Sequence, residues 1–183
     1  MPTYASFLRG INVGGQKPVP MVRLKAMCES AGFTDVATYV QSGNVVLSST
    51  LKRPEAVEKT IRTAVAETFG FEVPVVVRTD DELRSVIEHL PFTAKQAPDA
   101  SRLLVLFLDK TPAPALVKAM TPLAAKSPDR WKLVGREIYL YCPNGYGRTL
   151  LNNVFFERHL KVMATARNWK TVGAVAEMMR GKV

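Results

Sequence analysis

VATYVQSGNVVL, residues 36–47, is the stretch that decides the fold. Residues 36–40 and 45–47 are short runs of β-branched and aromatic side chains. The Ser42-Gly43-Asn44 centre between them supplies the positive φ angles that a tight hairpin needs. On its N-terminal side, Met21, Leu24, Cys28 and Ala31 recur at helical spacing, with Pro20 suited to the first turn and Gly32 placed to end the helix. Before that helix come an apolar strand at residues 4–8 and the Gly-rich loop RGINVGGQKPVP, residues 9–20. On the C-terminal side, residues 54–69 carry Val57, Ile61 and Val65 on one stripe, and Gly70 is a stop signal. Residues 75–77 form a fourth strand, after which Thr79 and Glu82 make a capping box for a helix bearing Leu83, Val86, Ile87 and Leu90. A hairpin set between two helices, each joined to an outer strand, reads βαββαβ.

The same order repeats. After a linker rich in Pro and Ala, residues 103–108 form a strand and Thr111 with Pro112 opens a helix bearing Leu116, Met120 and Leu123. Residues 131–134 and 138–141 pair across Gly135 and Arg136. The loop CPNGYGR (142–148) leads to a helix with Leu151, Phe155 and His159. Residues 162–165 form a last strand, and Asn168 caps a helix with Val172, Val175, Ala176 and Met179. The expected architecture is α+β: two ferredoxin-like βαββαβ halves with antiparallel sheets, each followed by an extra helix. The expected boundaries are 1–92 for the first half, 93–101 for a linker and 102–183 for a second, basic half.

This topology has a geometric consequence. Strands one and three are neighbours running in opposite directions, so the loop after strand one and the central hairpin leave the sheet at the same end. Arg9, Asn12, Gly14, Gly15 and Lys17 should therefore lie beside Ser42, Gly43 and Asn44. In the second half Tyr146 and Arg148, after strand three, should lie near Arg167, Asn168 and Trp169 at the end of strand four. Glycines admit a ligand close to backbone N–H groups, and helix N-termini add positive potential, so each edge suits an anion. The first loop approaches the phosphate-loop pattern with Gly10 and Gly15. The pattern breaks at Gln16, Lys17 and Pro18, where a lysine, a hydroxyl residue and an uninterrupted helix start are required.

Composition bounds the remainder. Among 183 residues, 47% are hydrophobic, and the formal net charge is +9. Residues 1–95 hold 11 Lys and Arg against 10 Asp and Glu, whereas residues 96–183 hold 14 against 6. The excess positive charge thus belongs to the second half, which fits a protein that meets phosphates or nucleic acid and equally a solvated surface that keeps the chain soluble. No run of apolar residues is long enough for a membrane span or a secretory leader. Two cysteines, Cys28 and Cys142, are too few for a disulfide framework, and a cytoplasmic location with both thiols reduced is expected. No metal-ligand cluster, catalytic triad pattern or cofactor motif is present, and His89 and His159 fall singly in helical patterns. Trp131, Tyr139, Tyr141, Tyr146 and Trp169 lie among basic residues and could stack on bases.

LRGINVGG (8–15) with Pro20 and Met21, YVQSGNVV (39–46), GYGRT (145–149), FFER (155–158) and TARNWKTV (165–172) together resemble the signature of domain-of-unknown-function family 1697. The resemblance spans essentially the whole chain and implies two ferredoxin-like halves. It implies no activity. The polar signature positions it carries over are Arg9, Asn12, Gly14, Gly15, Gln41, Ser42, Gly43, Asn44, Tyr146, Gly147, Arg148, Arg167, Asn168 and Trp169. Where a lysine often follows the Gly-Arg pair, this chain has Thr149, Leu150 and Leu151.

Three classes of function fit these observations. The first is a binding protein for an anionic ligand, a nucleotide-like small molecule or RNA, held by Arg9, Asn12, Gly14, Gly15, Lys17, Ser42, Asn44, Tyr146, Arg148, Arg167, Asn168 and Trp169. The second is an enzyme that stabilises an anion with Arg, Asn and backbone groups. The third is a structural or interaction protein whose Arg and Asn side chains tie the fold together.

Overall fold

A computed structural model describes residues 1–181. In chain order the elements are β1 (Thr3–Leu8), α1 (Met21–Ser30), β2 (Thr34–Tyr39), β3 (Asn44–Ser48), α2 (Pro54–Phe69), β4 (Val75–Thr79), α3 (Asp80–Glu88), β5 (Leu103–Leu108), α4 (Pro114–Ala124), β6 (Arg130–Val134), β7 (Glu137–Tyr141), α5 (Asn153–Leu160), β8 (Ala164–Asn168) and α6 (Trp169–Arg180). The two four-stranded sheets have the orders β2-β3-β1-β4 and β6-β7-β5-β8, with every pairing antiparallel. This is the strand order of two ferredoxin-like halves, each followed by one more helix. The chain divides into two compact units, one of Met1–Glu88 with the residues from Gly173 onward, the other of His89–Val172.

Alternation along each central strand sends one set of side chains into a helix-covered core. In the first unit Tyr4, Leu8, Val45, Leu47, Val75 and Val77 pack with Leu24 and Cys28 of α1 and Val57, Ile61 and Val65 of α2. The opposite parity is buried as well: Ala5, Phe7, Val46, Val76 and Arg78 are all shielded. In the second unit Leu104, Leu106, Leu108, Ile138 and Leu140 pack with Met120, Phe156 and Leu160. Leu103, Val105, Phe107, Tyr139 and Arg167 are buried at the other parity. Trp131 meets Phe156 edge-on with centroids 6.1 Å apart, closing the core at the β6 margin.

Three local expectations need correction. Helix α4 starts at Pro114, not Thr111. The ring of Pro114 disfavours a helical Ala113, so the helix can begin only at the proline itself. Strand β8 occupies residues 164–168 in place of 162–165, because β5 ends at Leu108, which pairs with Ala164 and leaves Val162 without a partner strand. In the first hairpin the positive φ angles fall on Val40 (48°) and Gly43 (77°), since Asn44 is already the first extended residue of β3. The capping box is present, with the Thr79 amide donating to Glu82 Oε2 and the Glu82 amide to Thr79 Oγ1.

Candidate functional site

At one end of the first sheet the loop after β1 meets the β2–β3 turn. The Leu8 amide donates to the Gly43 carbonyl at 2.8 Å, and the Arg9 amide to that of Pro74 at 2.9 Å. Residues 12–17 fold back as a miniature hairpin. The Gln16 amide donates to the Val13 carbonyl, with φ of 58° at Gly14 and 73° at Gly15, the positive pair that a two-residue hairpin turn requires. Asn12 holds its base: Nδ2 donates to the carbonyls of Val19 and Gln41, each at 2.9 Å, and Oδ1 accepts from the Val19 amide at 2.8 Å. Lys17 Nζ donates to the Glu72 carbonyl at 2.7 Å and lies over the Phe71 ring. Asn44, fully buried, donates to the Tyr39 carbonyl and to Ser42 Oγ, both at 2.9 Å.

Arg9, Asn12, Gly14, Gly15, Lys17, Ser42 and Asn44 are thus brought to one sheet end, as the topology predicts. The loop is not a phosphate cradle. Its glycines form a hairpin tip well ahead of α1, which begins at Met21 behind the buried Val19. Asn12 and Asn44 donate their amide hydrogens to oxygens within this sheet end, Asn12 to the carbonyls of Val19 in its own loop and Gln41 in the β2–β3 turn, Asn44 to the Tyr39 carbonyl and the Ser42 hydroxyl.

The second unit builds its edge where β5 begins and where β7 and β8 end. Leu103 pairs with Tyr141, Leu104 pairs with Asn168, and the Cys142 amide donates to the Arg102 carbonyl at 3.0 Å. Gly145, at φ 88°, lies so close to Arg102 that an added Cβ would stand 2.7 Å from the guanidinium. Arg102 therefore crosses the 142–148 loop next to the 3-10 turn Tyr146–Arg148. Arg148 is exposed, as are Arg102, Arg130, Asn168 and Lys170. Asn168 Oδ1 accepts from the Thr171 amide at 2.8 Å and so caps α6. Tyr146 is half-buried on the core, and its hydroxyl accepts from the Asn153 amide at 3.3 Å.

Arg167 does not belong to this exposed set. It is buried at the sheet's opposite parity, donates to Thr165 Oγ1 and the Ala166 carbonyl at 2.8 Å each, and burial pulls its guanidinium down to about 10. It stays protonated at neutral pH and acts inside the fold. Arg78 occupies the same fourth position on β4 and is buried in the same way.

Tyr139 and Tyr141, which could stack bases on an open sheet, are buried, and Trp131 packs on Phe156. Arg130 donates to the Gln96 carbonyl, and Lys132 donates to that of Pro91 at 2.7 Å while lying over Phe92. The segment following α3 is strapped along β6 by these two cations. A sheet-face platform for bases is therefore closed on this strand pair, and at the sheet end Trp169 is half-buried, as Tyr146 is.

Burial pushes the thiols of Cys28 and Cys142 up to about 12, helped by Glu29 at Cys28 and by Asp129 at Cys142. Neither suits a nucleophile, which needs its thiolate. The Asp129 carboxylate accepts from the hydroxyls of Ser127 and Thr149, which fastens the 142–149 loop to the start of β6. Among the described residues no group of His, Cys, Asp and Glu could hold a metal ion, and no helix is long and apolar enough to cross a membrane.

The model of a family described as "Protein of unknown function (DUF1697)" matches residues 1–139. The chain belongs to this family. DUF1697 residues 8–15 and 39–46, quoted above for their resemblance, lie inside the matched segment and form the first edge. A solved structure, that of the conserved bacterial protein SP0830 from Streptococcus pneumoniae, is 26% identical and covers 97% of this chain and 98% of its own, with a TM-score of 0.76. No curated protein matches the chain significantly. The likeness to this solved structure extends over both units, whereas the family match ends within the second, at residue 139. Arg102 and Lys170 were absent from the sequence-derived site set; the charge imbalance located their half, but only strand register puts them at one edge.

Proposed function

We propose that this DUF1697 protein is a cytosolic binding protein for a phosphate-bearing chain, single-stranded RNA in the reading its surface favours. The ligand would lie along the edge bearing Arg102, Arg148, Lys170 and Trp169. The observation that carries this reading is a contrast between equivalent places. Where β4 passes into α3, the first helical turn holds Asp80, Asp81 and Glu82, the usual compensation for a positive helix end. Where β8 passes into α6, the same turn holds Trp169, Lys170 and Thr171, with no acid. A lysine added to a helix N-terminus costs stability and concentrates positive potential.

Charge across the unit supports the same reading. Residues 89–172 hold 13 Lys and Arg against 5 Asp and Glu. Asn12, Asn44 and Arg167 are assigned to holding the fold, because their hydrogen bonds within the chain leave them poorly placed to serve a ligand.

The test is fluorescence anisotropy of labelled oligouridylate with the full chain. Micromolar or tighter binding that weakens steeply with salt, and that falls in Arg148→Ala and Lys170→Ala at unchanged melting temperature, is expected. No binding at low salt, or binding indifferent to salt, would refute it.

A further inference from the structure

A carboxylate sits at the base of the basic edge of the second unit. Asp129, half-buried one residue before β6, accepts at a single oxygen, Oδ2, from the hydroxyls of Ser127 and Thr149. The buried Cys142 thiol adjoins the same pair. An acid beside an edge assigned to phosphates repels them, so by charge alone it weakens that edge. Its place there calls for a role other than charge.

The bonds around it supply one. The Gly145 amide donates to the Cys142 carbonyl at 2.9 Å, the Arg148 amide to that of Gly145 at 3.1 Å, and the Thr149 amide to that of Tyr146 at 3.2 Å. These turns coil the loop on itself. Its two ends are tied to the sheet: the Cys142 amide bonds the Arg102 carbonyl where the loop begins, and Thr149 bonds Asp129 where it closes, with Tyr146 packed on the core between them. The Thr149 hydroxyl is used twice, donating to Asp129 and accepting from the Leu151 amide at 2.8 Å, which fixes its direction. Arg148 is the residue immediately before. Its backbone is thereby set relative to β6 while its side chain stays exposed, and a backbone set in advance lowers the ordering cost of a phosphate contact.

We infer that Asp129 and Thr149 are positioning residues of this edge: the latch between them places Arg148 for a phosphate, and neither touches the ligand. The inference rests on the RNA reading of the second unit. It also reverses the sign that charge alone would give. Removing the Asp129 carboxylate takes away a repulsion and on charge alone tightens binding, whereas losing the latch weakens it.

Anisotropy of labelled oligouridylate with the full chain tests it, using Asp129→Ala, Thr149→Val and Thr149→Ser. Thr149→Val nearly keeps the side-chain shape, leaves the charge alone and removes the hydroxyl, which Thr149→Ser restores. Loss of one phosphate contact is expected in Asp129→Ala and Thr149→Val: affinity about fivefold weaker at about 0.1 M salt, and a salt slope smaller in magnitude by about 0.7. Thr149→Ser should bind as the wild type does. In an Arg148→Ala background, Thr149→Val should cause no further loss, because both changes remove the same contact. If Asp129→Ala melts too low to measure, the two Thr149 variants decide. Wild-type or tighter binding by Thr149→Val would overturn the inference and leave the RNA reading standing, as would a full further loss in the Arg148→Ala background. A wild-type chain that shows no salt-dependent binding would refute the RNA reading and this inference with it.

Discussion

Gly43 and Gly15 share a positive φ and a place in the same edge, yet they do different work. A Cβ on Gly43 would sit 2.8 Å from Leu8 Cβ and 2.9 Å from Ile11 Cδ1, whereas nothing lies within 4 Å of one on Gly15. Gly43→Ala should therefore cost about 3 kcal/mol, conformational strain plus forced repacking, and Gly15→Ala only about 1 kcal/mol. Urea unfolding of the two variants measures the difference directly. The thiols allow a second check at this scale. With Cys28 and Cys142 at about 12, less than about one thiol in a thousand is ionised at pH 8, so iodoacetamide should leave the native chain unmodified by mass spectrometry and alkylate both once it is denatured. Asn12, Asn44 and Arg167 show where reading residues alone falls short. Their chemistry, amide and guanidinium donors beside glycines, was legible in the sequence, but a donor's partner is fixed by three-dimensional neighbours, and here those neighbours are carbonyls and hydroxyls of the same chain.

Elements were more legible than side chains, because hydrophobic spacing and stop residues act locally. Helix α2 runs over residues 54–69 as its Val57, Ile61, Val65 stripe and Gly70 require. The misplacements came where a neighbour decides: β8 is positioned by the end of β5, and α4 by the restriction that Pro114 puts on Ala113. The 12–17 hairpin was not legible as an element at all, since its glycines fit equally well in any tight turn. Its stability rests on Asn12, so Asn12→Ala should remove two donated bonds and one accepted bond and cost about 2 kcal/mol. Amide exchange at Gln16 and Val19 should speed up by at least about tenfold, while exchange in β1 and β3 stays slow. Unchanged protection at Val19 would mean that Asn12 does not hold the hairpin.

For the whole molecule, topology duplicates what charge distinguishes. Both units place a loop after the first or third strand beside the end of a sheet, and both bury an arginine at the fourth position of the last strand, Arg78 and Arg167. The acids follow only one of them. The charge imbalance between halves was visible by counting, but the edge that concentrates it depends on which strand ends coincide, and that follows from the β6-β7-β5-β8 order. The account turns on whether Arg102, Arg148 and Lys170 neutralise phosphates together. The direct measurement is the slope of log affinity for oligouridylate against log salt, in the wild type and in the Arg102→Ala, Arg148→Ala, Lys170→Ala triple variant. Each lost phosphate contact on a single strand lowers the slope by about 0.7, so the account predicts a magnitude smaller by about 2 in the variant. Equal slopes for the two proteins would contradict it.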